Sequence, residues 1–223
     1  MRKRREADGA KAAARRPGRD GSAPPTRAQQ RDATRERIVE AAARIFSERG
    51  FGAASTREIA ARAHVNQGLI TYHFQSKQAL WKAAAERVFA RLRRSFETLP
   101  EPDGAADASA RARATIRQYV RFVAAHPELF RLMVEEGRHA DARLRWLVDT
   151  HLAPIYAAFT RLVERYNPAF DRALIPHLYY ALAGAGSMIF ALRPECQRLT
   201  GLDPATPDAV ERHAEMLARL LIP

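Results

Sequence analysis

The sequence predicts an all-α protein, a small N-terminal helical unit followed by a C-terminal helical bundle. Three observations carry this. From Asp32 onward apolar residues recur with helical spacing rather than in the strict alternation of strands. Helix start and stop residues punctuate those periods at plausible helix lengths. With 223 residues, 47% hydrophobic and 28% charged, the chain can bury one good core or two small ones.

Residues 1–30 stand apart from this pattern. They hold nine Lys/Arg against three Asp/Glu, contain Pro and Gly, and show no apolar period, which predicts a disordered basic arm. That arm carries +6 of the formal +12 charge. Such an excess of base points to a polyanionic partner, nucleic acid or an anionic surface. The arm is expected to add salt-dependent, sequence-independent affinity.

Ile38, Ala42, Ile45 and Phe46 form one apolar face of the first helix, which Gly50 would end. Ser55-Thr56-Arg57-Glu58 reads as a capping box, with Ser55 capping and Glu58 reaching back, and opens a short helix that turns Ile59, Ala60 and Ala63 inward. Asn66 then caps a helix from Gln67 to Phe74, and Ser76 caps a longer one through "KQALWKAAAERVFARLRR". The stretch "LPEPDGAADAS" is the expected interruption between the two halves.

In the second half Ile116, Val120 and Val123 share a face, and Pro127 fits the first turn of the next helix. Leu144, Leu147 and Val148 mark another face, with Pro154 and Pro168 expected to break the run. "LYYALAGAGSMIFAL", Leu178 to Leu192, falls short of the roughly 20 residues of a membrane span and reads as a buried helix. Thr206 caps a final helix, with Pro207 at its first position and Val210, Ala214, Leu217 and Leu221 on one stripe.

Several functional classes find no support in the sequence. No apolar segment follows the basic start, so no signal peptide is expected, and the single cysteine, Cys196, suits a reducing cytosol. No G-x-S-x-G, Cys-His pairing or phosphate-cradling Gly loop is present, so neither catalysis nor a cofactor is expected. Glu136, His139 and Asp141 lie close in sequence, but a helix end in solvent explains them more simply than a metal site.

The informative stretch is "HVNQGLITYHFQSK", His64 to Lys77. At about 100° per residue, Ile70 and Phe74 point to one side while Gly68, Leu69 and Tyr72 point to the other, flanked by Gln67, Thr71 and His73. A solvated face would carry Glu, Lys and Arg. Here no carboxylate occurs between Glu58 and Glu86, as proximity to phosphates would favour. A short helix, a tight turn and a second helix with a polar, acid-free outer face is the helix-turn-helix layout, whose second helix enters the DNA major groove. Gln67 suits a base edge, Leu69 a thymine methyl and Gly68 close backbone approach, while Tyr72, His73 and Lys77 suit phosphates.

"STREIAARAHVNQGLITYHFQSKQALW", preceded by "RERIVEAAARIFSERGF", resembles the DNA-binding domain of the TetR family of bacterial transcriptional regulators over roughly residues 31–91. The resemblance implies a helix-turn-helix domain at 31–91, with the motif at about 55–74, and an effector-binding and dimerisation domain at 92–223. It also implies DNA contacts at Thr56, Asn66, Gln67, Gly68, Tyr72, His73 and Lys77. Two positions depart from the family pattern. His64 stands where a glycine with positive φ is usual, and Thr71 where tyrosine is common, which turns a phosphate contact toward a base contact.

Partners follow from the same resemblance: a double-stranded DNA operator, a second copy of the chain, and a small-molecule effector, apolar or aromatic. The expected effector pocket draws on Phe122, Phe130, Met133, Trp146, His151 and Tyr156, with His151 or Tyr156 as polar anchor. The expected dimer interface draws on Ala181, Gly184, Ala185 and Met188 with the stripe Val210, Ala214, Leu217 and Leu221. The rival reading is a basic helical module that binds DNA without sequence preference, or a protein partner, with no small-molecule switch.

Overall fold

The computed structural model describes residues 26–97, 99 and 105–222. Among them lie eleven α-helices and no strand. Helix α1 (Arg27–Ala53) begins inside the expected basic arm. Thr26 Oγ1 accepts the Gln29 N–H at 3.2 Å and Gln29 Oε1 accepts the Thr26 N–H at 2.8 Å, a reciprocal cap that offsets the ordering cost of the first turn. Residues 27–30 are therefore helical rather than disordered, and the remainder of the arm, residues 1–25, lies outside the described residues. Gly50 adopts φ 71° and kinks the end of α1, where a Cβ would stand 2.5 Å from Glu135 Oε1.

Helix α2 (Thr56–Arg62) is capped by Ser55, whose hydroxyl accepts the Glu58 N–H at 3.1 Å. The expected return contact from Glu58 is absent, because its carboxylate pairs with Arg49 at 2.9 Å. His64 takes φ 53° in the turn before helix α3 (Gln67–Phe74). Ser76 Oγ accepts the Ala79 N–H at 3.0 Å and starts helix α4 (Lys77–Glu97), which runs unbroken past residue 91. Ile38, Phe46, Ile59, Ile70, Phe74 and Trp81 pack from all four helices into one core. Glu40 of α1 receives Arg87 at 3.0 Å and Arg91 at 2.8 Å from α4, tying the two long helices together.

The second half comprises α5 (Ala105–Ala125), α6 (Glu128–Glu136), α7 (Ala142–Leu147), α8 (Ala153–Tyr166), α9 (Ile175–Ala191), α10 (Arg193–Thr200) and α11 (Pro207–Leu221). Pro154 does not break the chain. A π-helical segment, Val148–Leu152, joins α7 to α8, and the Ala153 N–H reaches back to the Val148 carbonyl. This wider turn relieves the ring clash that Pro154 would impose on a tight α-turn. It also shifts the register, so Leu147 is buried while Val148 is open to solvent.

Glu136, expected in solvent, is 1% exposed. It accepts from Trp81 Nε1 at 3.1 Å and from Arg143 Nε at 3.0 Å, and those two donors hold the carboxylate inside. Helix α11 lies along α5, joined by Arg117–Glu215 at 2.7 Å and Arg121–Glu211 at 2.6 Å. Of its stripe, Ala214 and Leu217 are buried in this core, and Val210 and Leu221 are half-buried against it. Helix α9 is not a buried helix. Gly186 and Ser187 face inward, where a Cβ on Gly186 would meet the Tyr119 ring at 2.8 Å, but Tyr180, Ala181, Ala185 and Met188 stand open. By length and composition Arg172–Ala191 would suffice to cross a membrane.

Candidate nucleic-acid interface

The outer face of α3 is built by what its inner face does. Ile70 and Phe74 anchor the helix in the core, and Arg35 of α1 lies over the Phe74 ring at 5.1 Å. Asn66 caps the helix by accepting the Gly68 N–H at 2.8 Å. A Cβ on Gly68 would come within 3.2 Å of that capping oxygen, so the glycine serves the cap as well as close approach. Gln67, Gly68, Leu69, Thr71 and Tyr72 face solvent, with Tyr72 69% exposed. Gln67 Nε2 donates to Thr56 Oγ1 at 3.2 Å, so the first residues of α2 and α3 already address one another.

His73 is half-buried against Tyr72, and its pKa is lowered by burial and then by Arg35 and Arg31. Lys77 is turned elsewhere. Its ammonium donates to the Gly52 carbonyl at 3.1 Å and lies 4.7 Å from the Phe51 ring centre, so of the expected DNA residues it alone is described tied to the end of α1.

The first turns of α1 complete the surface. Arg27, Gln30, Arg31 and Thr34 line a cleft of about 500 Å³ whose other wall is Leu69, Tyr72 and His73. Arg31 and Thr34 were not among the expected contacts, and Arg27 and Gln30 were expected only as part of a disordered arm. The signal was present in "TRAQ", whose Thr and Gln three apart are a capping box. The arrangement sets guanidinium groups beside a recognition helix with amide, hydroxyl and phenol groups, which suits phosphate contact next to base-edge contact.

A family model described as "Bacterial regulatory proteins, tetR family" matches residues 38–84, from the middle of α1 into α4. Residues 38–84 therefore carry a TetR-type helix-turn-helix domain. Similar proteins include the HTH-type transcriptional repressor NicS of Pseudomonas putida, 29% identical over 53% of this chain and 55% of NicS. The HTH-type transcriptional repressor Rv3405c of Mycobacterium tuberculosis is 29% identical over 83% of this chain and 88% of that protein. Among solved structures, a TetR-like transcriptional regulator from Rhodococcus sp. RHA1 superposes with a TM-score of 0.61 at 20% identity, covering 88% of this chain and 97% of that one.

C-terminal to that domain, the residues expected to line an effector pocket fall into separate groups. Trp146 and His151 meet edge to face at 5.1 Å on the α4 side. Tyr156 meets Tyr179 of α9 at 5.3 Å, and Phe122 is buried against His126 at 4.7 Å. Phe130 and Met133 belong to α6, both half-buried. The expected dimer residues of α9 behave differently from those of α11. Ala181, Gly184, Ala185 and Met188 line an open cleft of about 560 Å³ with Tyr180, Leu192 and Leu199. On α11 the open apolar residues are Met216 and Leu220, the latter 70% exposed, which the stripe read from the sequence did not include.

Proposed function

We propose that the protein is a ligand-responsive transcriptional repressor that binds a palindromic operator as a homodimer and is released by a small molecule. The observation that carries it is the solvent-open face of α3, held rigidly by Ile70 and Phe74 and flanked by Arg27 and Arg31. NicS and Rv3405c are both named repressors, which supports the sign of the output. The open apolar face of α9 and α11, with Tyr180, Met188 and Leu220, supports self-association. Residues 31–91 then act as the reading head and 92–223 as the sensing and dimerising body.

Two recognition helices in a dimer must stand about 34–36 Å apart to enter successive major grooves. Helix α4 links each α3 to the body, so a ligand that shifts α4 changes that spacing. Linkage then requires operator DNA to weaken ligand by the factor by which ligand weakens DNA. Footprinting on the chain's own upstream DNA, with competition by random DNA, tests the reading. A preference for one palindromic site of about 10³-fold or more supports it. Equal affinity for all sequences, or a monomer by sedimentation at micromolar concentration, refutes it.

A further inference from the structure

The π-helical segment Val148–Leu152 carries His151 into the core at the junction of α4 and α7, where the residue is 4% exposed. Its ring stacks on Phe89 of α4 at 4.5 Å between centres and 6° between planes. Trp146 meets its edge, and Trp81 lies beyond Trp146 at 5.6 Å. Two features single out this histidine. Single π turns inside α-helices recur at functional sites. Its Nε2 atom is also buried with no hydrogen-bond partner in the protein, whereas nearly every buried polar atom has one.

The other ring nitrogen fixes the chemistry. Nδ1 lies 3.4 Å from an Nη of Arg93. A guanidinium offers donors and no acceptor, so Nδ1 must present its lone pair, and the proton of the neutral ring resides on Nε2. Burial and the Arg93 charge push the His151 pKa down to about 4, so at neutral pH the ring stays uncharged. What is buried and unmet is therefore an N–H donor. Its complement is an acceptor oxygen. A second donor or a cation would face N–H against N–H. Lys82, whose ammonium lies 5.0 Å from the Trp146 ring centre, and Arg93 add positive potential that favours an anion. The nearby buried carboxylate, Glu136, is already engaged by Trp81 and Arg143. The side chains packed around the ring are apolar: Phe89 and Trp146, with Leu147, Leu152 and Ile155 in the same core.

We infer that His151 is the polar anchor of a ligand site that takes an apolar, ring-compatible carboxylate, its oxygen accepting the Nε2–H between α4 and the π segment. This deepens the ligand-responsive reading above and rests on it for its regulatory meaning. Phe89 and Arg93, the two residues that hold the His151 ring, both belong to α4, the helix that leads to the recognition helix. Occupation of the site therefore acts on the element that sets recognition-helix spacing.

The chain's two tryptophans, Trp81 and Trp146, both lie in this cluster, so tryptophan emission of the full-length protein reports on it directly. Three probes of matched size differ in chemistry: benzoate is an anionic acceptor, benzamide a neutral acceptor, and benzylammonium a cationic donor. The expected result is saturable quenching by benzoate, weaker quenching by benzamide and none by benzylammonium. His151→Phe keeps a ring on Phe89 but removes the N–H, and is expected to weaken benzoate at least about tenfold, the factor carried by about 1.4 kcal/mol. Circular dichroism and operator affinity of that variant check that the fold is intact. Should it misfold, nitrogen-detected NMR of the wild-type histidines reads the same claim, with Nδ1 of His151 unprotonated and the Nε2–H resonance moving on benzoate addition. Benzylammonium binding as well as benzoate, no saturable benzoate binding at millimolar concentration, an unchanged benzoate affinity in His151→Phe, or a proton on Nδ1 would each overturn the inference. Benzoate binding that depends on His151 but leaves operator affinity untouched upholds the site and defeats the switch. Operator release by a compound that acts equally on wild type and His151→Phe upholds the switch and defeats the site.

Discussion

Replacing Glu136 tests the joint between the reading head and the body. The carboxylate is buried and accepts from Trp81 Nε1 on α4 and from Arg143 Nε on α7. In Glu136→Leu the Trp81 N–H is left unpartnered, a loss of about 1–3 kcal/mol, and a charge-assisted bond worth about 1.5–3 kcal/mol is removed. Arg143 retains Asp141 at 2.8 Å and its side chain is 20% exposed, which places the sum near the lower end. The expected destabilisation is about 3 kcal/mol, and at about 2–4 °C per kcal/mol for a chain of this size the midpoint falls by about 6–12 °C. Glu136→Gln preserves shape but sets an amide N–H against one of the two donors, so about half that loss is expected. Adding Arg143→Met to Glu136→Leu removes the stranded charge and restores part of the loss, while the Trp81 N–H stays unmet. The assay is urea and thermal unfolding by circular dichroism at fixed protomer concentration, since self-association shifts apparent stability. A loss below about 1 kcal/mol in Glu136→Leu would refute the account of a carboxylate locked in by two donors.

Other expectations follow from the same contacts. Tyr72→Ala removes an exposed ring, so operator binding is lost while the unfolding midpoint stays within about 0.5 kcal/mol of wild type; a larger loss would make Tyr72 a core residue. Arg31→Met takes one guanidinium from the cleft beside α3, and the slope of log affinity against log salt becomes shallower by about 0.9, with sequence preference unchanged. His151, held at about 4 by burial and Arg93, binds its proton more weakly folded than unfolded. Its contribution is complete above about pH 6.5 and is lost as pH falls toward 4, up to about 3 kcal/mol. Acid titration of stability in wild type and His151→Phe measures it, and identical slopes would refute the assignment.

Much of the N-terminal half was legible in the sequence because its signals are local. Asn66 and Ser76 cap the helices they were assigned, His64 adopts the positive φ expected of its position, and Ile70 and Phe74 turn inward opposite Tyr72. What escaped depends on distant partners. Glu136 is inside only because Trp81 and Arg143, 55 and 7 residues away, converge on it. The α11 stripe was correctly read as apolar, but period alone does not say what covers each residue: within the chain Ala214 and Leu217 are buried, while Val210 and Leu221 are half-open. Pro154 would end an α-helix and instead follows a π turn, which no single-residue preference encodes. The start of α1 is the exception: the cap at Thr26 and Gln29 was local and readable, hidden under the strong compositional bias of the preceding residues.

The contacts around α4 limit what a small ligand can accomplish. At its start, Lys77 and Arg143 both lie over the Phe51 ring, at 4.7 and 4.3 Å, and along its length Arg87 and Arg91 grip Glu40 of α1. Helix α4 is thus tied to α1, and under the proposed ligand response the two would move together, against the α1–α6 packing as well as the contacts of Glu136. Carrying such a two-state body from 1:99 to 99:1 needs about 5.5 kcal/mol of differential affinity. One hydrogen bond from His151 to a carboxylate supplies about 1.5–3 kcal/mol. The remaining 2.5–4 kcal/mol, roughly, must come from apolar burial unique to the released state, which at about 25 cal/mol per Å² is about 100–160 Å². A benzene ring supplies that only if most of its surface is buried in the released state and open in the DNA-bound one. Occupancy of the His151 site and full release from DNA are thus separable by ligand size: small carboxylates bind and shift the equilibrium part-way, and complete release requires a larger apolar body spreading from His151 along Phe89 and Trp146.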